Sequence, residues 1–342
     1  MRLFIRQSIV KKINKKRLFL WLAFIILTIL SLIIGVVDHQ QGLFENIGIF
    51  IKGVFDQDAL SLRILTQSRI PRTIAIIITA AGVSVAGLVM QTISRNKFIS
   101  PSTAGTTDAA VLGVLIGMLI IQTQTYTMKI VFAFVFSLLS TGLFMFILRK
   151  IKFKNIIYVP LVGLMYGAMI SAVSTFIAYR TNSLQFLNTI SINGFANKAA
   201  GTYEFLYIIV PVFIIVIFLA TRFSIIGMGE DFAKNLGIKY GHVLSAGLII
   251  IAIISSLSFV LAGALPFVGL VVPNLISYYY GDNVKRTVID IALFGAVFVL
   301  LNDIFSRIVI FPYEVTISFT MGITGAIIFL FMIFRRMKYE KK

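Results

Sequence analysis

Carboxylates lying inside long apolar stretches are where this chain would do chemistry, because an ionised group in hydrocarbon is costly and is usually kept for a function. Three qualify, Asp108, Asp290 and Asp303, each on a different stretch. An enzyme acting at membrane depth needs converging acids, or a nucleophile with its base, and three separated aspartates supply neither. His39 and His242 are too far apart in sequence to suggest a local metal site. The absence of cysteine excludes disulfides, thiolate metal sites and cysteine nucleophiles. There is no Gly-x-x-x-x-Gly-Lys-Ser/Thr loop, so the chain does not itself bind and hydrolyse ATP by that route. Gly-x-Ser-x-Gly and His-Glu-x-x-His are missing too. The expectation is a transporter with no catalytic residue, no metal and no cofactor.

Each aspartate also has a local explanation. Asp108 follows the Ser/Thr/Pro/Gly-rich residues 100–107, where a helix would begin, and meets the positive end of its dipole. Asp303 has Arg307 four residues later, so the two can pair on one helix face. Asp290 is expected near the inner surface, solvated. The small residues Gly113 and Gly117, and Gly163, Gly167 and Ser171, recur at the spacing that lets helices approach closely, which is read first as packing within the chain.

The elements that must position these residues follow from composition. Hydrophobic residues make up 58% of the 342, charged residues only 13%, and mean hydropathy is +0.98. Soluble domains carry about 25% charge, so the class is an all-α polytopic membrane protein. A crossing needs about 20 residues. Ten candidate spans follow, the eighth shorter than the rest: 18–37, 73–94, 106–128, 130–148, 155–179, 204–222, 243–262, 266–280, 287–306 and 315–334. The seventh and eighth come from one charge-free run that breaks at residues 263–266, where Gly and Pro interrupt it. Residues 1–342 therefore read as one transmembrane domain with no soluble domain inserted. The basic N-terminal segment is a retained first span and not a secretory signal, since its apolar stretch is long and lacks a small-residue cleavage site.

The net charge of +18 is scattered in short clusters between spans and forms no nucleic-acid face. With both termini inside, 23 Lys and Arg fall on the inner side and 8 on the outer. That bias sets the orientation and places residues 223–242 in the longest internal inner loop.

Three stretches together resemble the ten-span permease subunits of ABC importers for iron-siderophores, haem and vitamin B12. Arg69-Ile-Pro-Arg-Thr-Ile-Ala75 leads through Ala86-Gly-Leu-Val-Met-Gln91 and Arg95-Asn96 to Pro101 and Gly105. Gly229-Glu-Asp-Phe-Ala-Lys-Asn-Leu-Gly-Ile238 is similar to the family's cytoplasmic Ala-x-x-Leu-Gly loop. Ala262-Gly-Ala-Leu-Pro-Phe-Val-Gly-Leu-Val-Val-Pro-Asn274, then Asn302-Asp303-Ile-Phe-Ser-Arg307, is similar to two later family segments. The chain departs from the pattern at Asn274, usually His, at Ser277, often Arg, at residues 316–318, and at residues 322–326 of the tenth span, which with the fifth lines the pathway in relatives.

The resemblance implies a bacterial cell-membrane permease working with a second permease subunit, identical or homologous, two ATP-binding subunits and a substrate-binding lipoprotein. A ferric siderophore is the first-choice cargo, with haem or cobalamin as alternatives. It implies a coupling helix docking on the ATPase, formed by Gly229, Glu230, Asp231, Ala233, Leu236 and Gly237, with Ala233 and Leu236 as apolar anchors. It also implies that Arg69, Arg72 and Arg307 receive the binding protein outside. An ion-coupled transporter, which needs buried ion ligands, and an intramembrane enzyme are the rival classes.

Overall fold

The computed structural model describes residues 2–35, 43–56, 58–121, 125–150, 158–192, 194–195, 203–311 and 313–340. The inner end of the fifth expected span, parts of the first and third, His39, Lys152, Lys154 and Lys198 lie outside them. Among the described residues fourteen α-helices run in chain order. They are α1 (Arg2–Ile33), α2 (Leu43–Ile51), α3 (Ala59–Ile64), α4 (Ile70–Ser94), α5 (Thr106–Ile121), α6 (Tyr126–Lys150), α7 (Tyr158–Arg180), α8 (Leu184–Ile192), α9 (Ile209–Ile226), α10 (Glu230–Asn235), α11 (Tyr240–Ala262), α12 (Val268–Tyr280), α13 (Val284–Ile308) and α14 (Ile317–Glu340). Among the described residues the only β feature is an isolated bridge between Ile310 and Tyr313.

Each of the ten apolar stretches carries one helix, and among the described residues eight helical stretches are long and apolar enough to cross a bilayer. The other two, α5 and α12, are 16 and 13 residues long. Both are entered through backbone that is not α-helical, residues 100–105, with a 3-10 turn at Ser102–Ala104, and residues 263–267. Such backbone is tolerated at depth only where protein or water satisfies it. Here Ser100 and Thr103 satisfy part of the first segment: the Ser100 amide donates to Thr103 Oγ1 (2.8 Å), and Thr103 Oγ1 donates to the Ser100 carbonyl (3.1 Å).

Helices α4, α11 and α13 form the centre, each with most of its surface inside the protein, whereas α1, α7, α9 and α14 keep apolar side chains such as Phe19, Met165, Phe218 and Phe331 exposed. Exposed apolar surface is the normal state of a helix solvated by lipid, so burial must be driven by close packing. Gly87 of α4 and Gly269 of α12 show how close: a β-carbon on Gly87 would overlap the Gly269 backbone. The stripe on α7 is internal packing as expected, with Gly163 against the Thr103 carbonyl and Gly167 against Gly105 and Asp108.

Pro273 inside α12 leaves the Gly269 carbonyl without its helical donor. Gln91 reaches across from α4 to donate to Leu270 O (3.3 Å) and Gly269 O (3.5 Å). Asn274 donates to Leu270 O (2.8 Å) and to Lys97 O (2.6 Å), tying α12 to the loop after α4.

Candidate functional site

The loop between α9 and α11 folds as a short helix with both ends defined by glycine. Gly229 is the N-cap with φ of +127°, a backbone state that L side chains rarely adopt. At the other end Gly237 takes φ of +74°. Its amide donates to Lys234 O (2.9 Å), and that of Ile238 donates to Ala233 O (3.0 Å), the Schellman pair of bonds that satisfies the last carbonyls. Glu230 and Asp231 occupy the first turn, where the dipole favours negative charge. Glu230 pairs with Lys234 (3.0 Å), and this carboxylate holds the lysine above its ordinary pKa.

Ala233 is completely buried and packs with the main core. Leu236, the other expected apolar anchor, is 56% exposed. Phe232 and Leu236, four residues apart at the helix and its C-cap, are both exposed and share the side away from the core while Ala233 faces in, and Met228 is exposed in the turn before the helix. Three large apolar side chains at a polar loop form a surface suited to a protein partner.

Beside the turn that leads into this helix, a cavity of about 280 Å³ is lined by Gln91, Arg95, Lys97, Gly227, Met228 and Asp282, among others. Lys97 pairs with Asp282 at 2.6 Å. Asp290, expected to be solvated, is buried instead: Arg17 of α1 donates to its Oδ2 at 2.7 and 3.1 Å and also to the Arg286 carbonyl (3.0 Å). The partner lies 273 residues away, which is why local sequence gave no sign of it.

At the opposite end stand Arg69, Arg72 and Arg307. A continuous helix from Ala59 to Ser94 carries the first two, with a π-helical turn at Leu65–Arg69. All three guanidiniums turn inward. Arg72 donates to Asp303 Oδ1 (2.7 and 3.2 Å) and to both oxygens of Glu314 (2.8 and 2.9 Å). Arg307 pairs with the other oxygen of Asp303, as the i, i+4 spacing indicated, and donates to the carbonyls of Ser31 (3.0 Å) and Ile34 and to Ser31 Oγ (3.1 Å). Arg69 donates to the carbonyls of Leu32 (3.1 Å) and Ile33 (2.7 Å).

Two arginines therefore occupy the last carbonyls of α1, which a helix end leaves without partners and which carry its negative dipole end. Expected as exposed docking groups, Arg69 and Arg307 are instead 3% and 2% exposed. Only the Arg72 and Glu314 side chains retain some contact with the surface. Sequence reading missed Glu314 and Ser31, which have no fixed spacing to the arginines.

Asp108 lies in the first turn of α5, as expected of a residue at a helix start. It borders a central cavity of about 300 Å³ with Ser102, Thr103, Thr107, Ser255 and Ser258. Ser258 is 3% exposed and its hydroxyl finds no partner among the described residues. Asp108, Asp290 and Asp303 are thus held in three separate environments, and among the described residues no group of three or more His, Asp or Glu could hold a metal ion.

Residues 22–335 match the model of the FecCD transport family. The petrobactin import system permease protein YclN of Bacillus subtilis is 44% identical over 321 residues, 94% of this chain and 98% of that protein. The ferric-anguibactin transport system permease protein FatD of Vibrio anguillarum is 38% identical, covering 78% of this chain and 85% of its own. A solved inward-facing conformation of a metal-chelate type ABC transporter superposes with a TM-score of 0.75 at 21% identity, covering 94% of this chain and 99% of the other, and so shares the fold. The coverage is nearly complete, and the chain belongs to the FecCD transport family.

Proposed function

We propose that this chain is the permease subunit of an ATP-driven importer that carries a ferric siderophore across a bacterial cell membrane, with both termini in the cytoplasm and residues 1–342 as one transmembrane domain. The observation that carries the reading is the short helix at Glu230–Asn235, rigidly seated by Ala233 and offering Met228, Phe232 and Leu236 outward. A permease without a nucleotide site of its own needs such a surface to receive motion from an ATPase. The likeness to the petrobactin and ferric-anguibactin permeases supports the cargo class.

In this reading two permease chains, identical or homologous, enclose the pathway, two ATPase subunits clasp the Glu230–Asn235 helices, and a lipoprotein delivers cargo outside. ATP binding rocks the bundles between outward and inward openings. The rim around Arg72 and Glu314 meets the lipoprotein, and Arg69 and Arg307 shape it from beneath by fixing the end of α1. Docking charges at such a rim fix register and speed encounter more than they add affinity.

The test is uptake of a radiolabelled ferric siderophore by cells or vesicles holding the whole system. Uptake lost when the partner ATPase is inactivated, yet indifferent to an ionophore, is the expected result. Uphill transport by this chain alone would overturn the reading, and uptake of haem or cobalamin in place of the ferric complex would reassign the cargo.

A further inference from the structure

At the end of the bundle that bears Arg17, Lys97 and Asp282, α12 and α14 leave a groove of about 320 Å³ that none of the roles above uses. Its floor and sides are apolar, from Leu275, Phe331 and Met332, while Lys97 and Arg335 stand at it with Tyr278. We propose that this groove is a binding site for the headgroup and upper acyl chain of an anionic phospholipid.

Charge complementarity carries the assignment. Arg335 lies over the Tyr278 ring at 5.1 Å and Lys16 over the adjoining Tyr279 ring at 4.7 Å, so two cations are held against the groove by aromatic faces. The acidic side chains described at this corner are already engaged: Asp282 with Lys97 and Asp290 with Arg17. Among the described side chains, Arg335 and Lys16 take part in no ion pair. A phosphate between them would answer that excess. Basic pockets between helices at a membrane face are where anionic headgroups bind, and tyrosines at the same level are the usual interfacial residues.

Apolar complementarity agrees. Leu275, Phe331 and Met332 give the groove apolar walls that suit the upper methylenes of an acyl chain. The proposal requires only that this end of α14 lies at a membrane interface, so it stands or falls separately from the importer reading.

The full chain purified in detergent is exposed to phosphatidylglycerol or phosphatidylcholine of identical acyl chains and retained lipid is counted by native mass spectrometry. Glycerol 3-phosphate serves as the free-headgroup arm. Retention of phosphatidylglycerol, not displaced by glycerol 3-phosphate and weakened by salt, is expected. Charge removal in Lys16→Gln and Arg335→Gln should lower relative affinity by about fivefold each, with Arg335→Lys largely retaining it. Equal retention of both lipids by the unsubstituted chain overturns the proposal even if a variant fails to fold. So does a disulfide between two copies at Phe331→Cys, since a second copy would then occupy the groove. Displacement by glycerol 3-phosphate would also overturn it, in favour of a soluble phosphate site.

Discussion

Arg72 and Asp303 are 231 residues apart in sequence and 2.7 Å apart in space, and the same carboxylate also receives Arg307. One buried aspartate thus joins α4 to α13, and through Arg307 it joins both to the end of α1. Neither arginine can be removed without leaving charge behind in a site with almost no water. Arg72→Ala is expected to destabilise the detergent-solubilised protein by about 3–5 kcal/mol, the usual cost of breaking a buried pair. Asp303→Asn should cost a similar amount, because two guanidiniums lose their counter-charge together. Thermal unfolding of the purified chain measures both, and unchanged unfolding would remove the network as a structural element.

That result separates two explanations of a transport defect. If Arg72→Glu abolishes uptake while the protein reaches the membrane in normal amount and unfolds normally, the rim meets a partner directly. If uptake and stability fall together, the arginines act through the fold. The burial of Arg69 and Arg307 predicts the second pattern for Arg69→Glu.

The pair Arg17 and Asp290 fastens the start of α1 to α13 at the other end of the bundle. Arg17 is 41% exposed, which screens the interaction, whereas the carboxylate is almost wholly inside. A double-mutant cycle with Arg17→Gln and Asp290→Asn should therefore give a coupling energy of about 0.5–3 kcal/mol. A coupling of zero would return Asp290 to the solvated surface role its sequence position suggested.

Much of this fold was legible because its determinants are local. Apolar runs located eight long helices and the shorter α5 and α12, Gly263 and Pro266 marked the break before α12, and Gly237 marked the stop of the helix at Glu230–Asn235. The i, i+4 spacing exposed the Asp303 and Arg307 pair. What sequence could not give was direction. Arg69 and Arg72 were correctly grouped but aimed outward, because their acceptors, the carbonyls at the end of α1 and the carboxylates of Asp303 and Glu314, come from distant segments. Ala233 and Leu236 read alike as apolar anchors, and only the assembled loop shows that one is enclosed by the core and the other exposed.

Gln91 illustrates a polar side chain whose purpose only the assembled bundle reveals. It donates to carbonyls of Gly269 and Leu270, beside the helical bond that Pro273 removes. Leu270 O keeps its bond from Asn274 in Gln91→Leu, which holds the volume near that of glutamine yet leaves the Gly269 carbonyl short of a donor, at a cost of about 1–3 kcal/mol. Lower thermal stability with membrane insertion intact is the expected outcome. A neutral effect would show that another donor already satisfies that carbonyl.

The outward row on the short helix gives the sharpest functional prediction. Phe232→Asp and Leu236→Asp replace exposed apolar groups, so the fold loses little, since surface substitutions usually stay within about 0.5 kcal/mol. Association with the ATPase should nevertheless fall by more than tenfold, because a charge must be desolvated without a partner in the docked state. Ala233→Asp should do the reverse first, destabilising the permease itself, because that β-carbon is fully enclosed by the core. Co-purification of the ATPase, read beside thermal unfolding of each variant, distinguishes the two classes. Full ATPase retention by the Phe232 and Leu236 variants would mean that the helix is not the coupling surface.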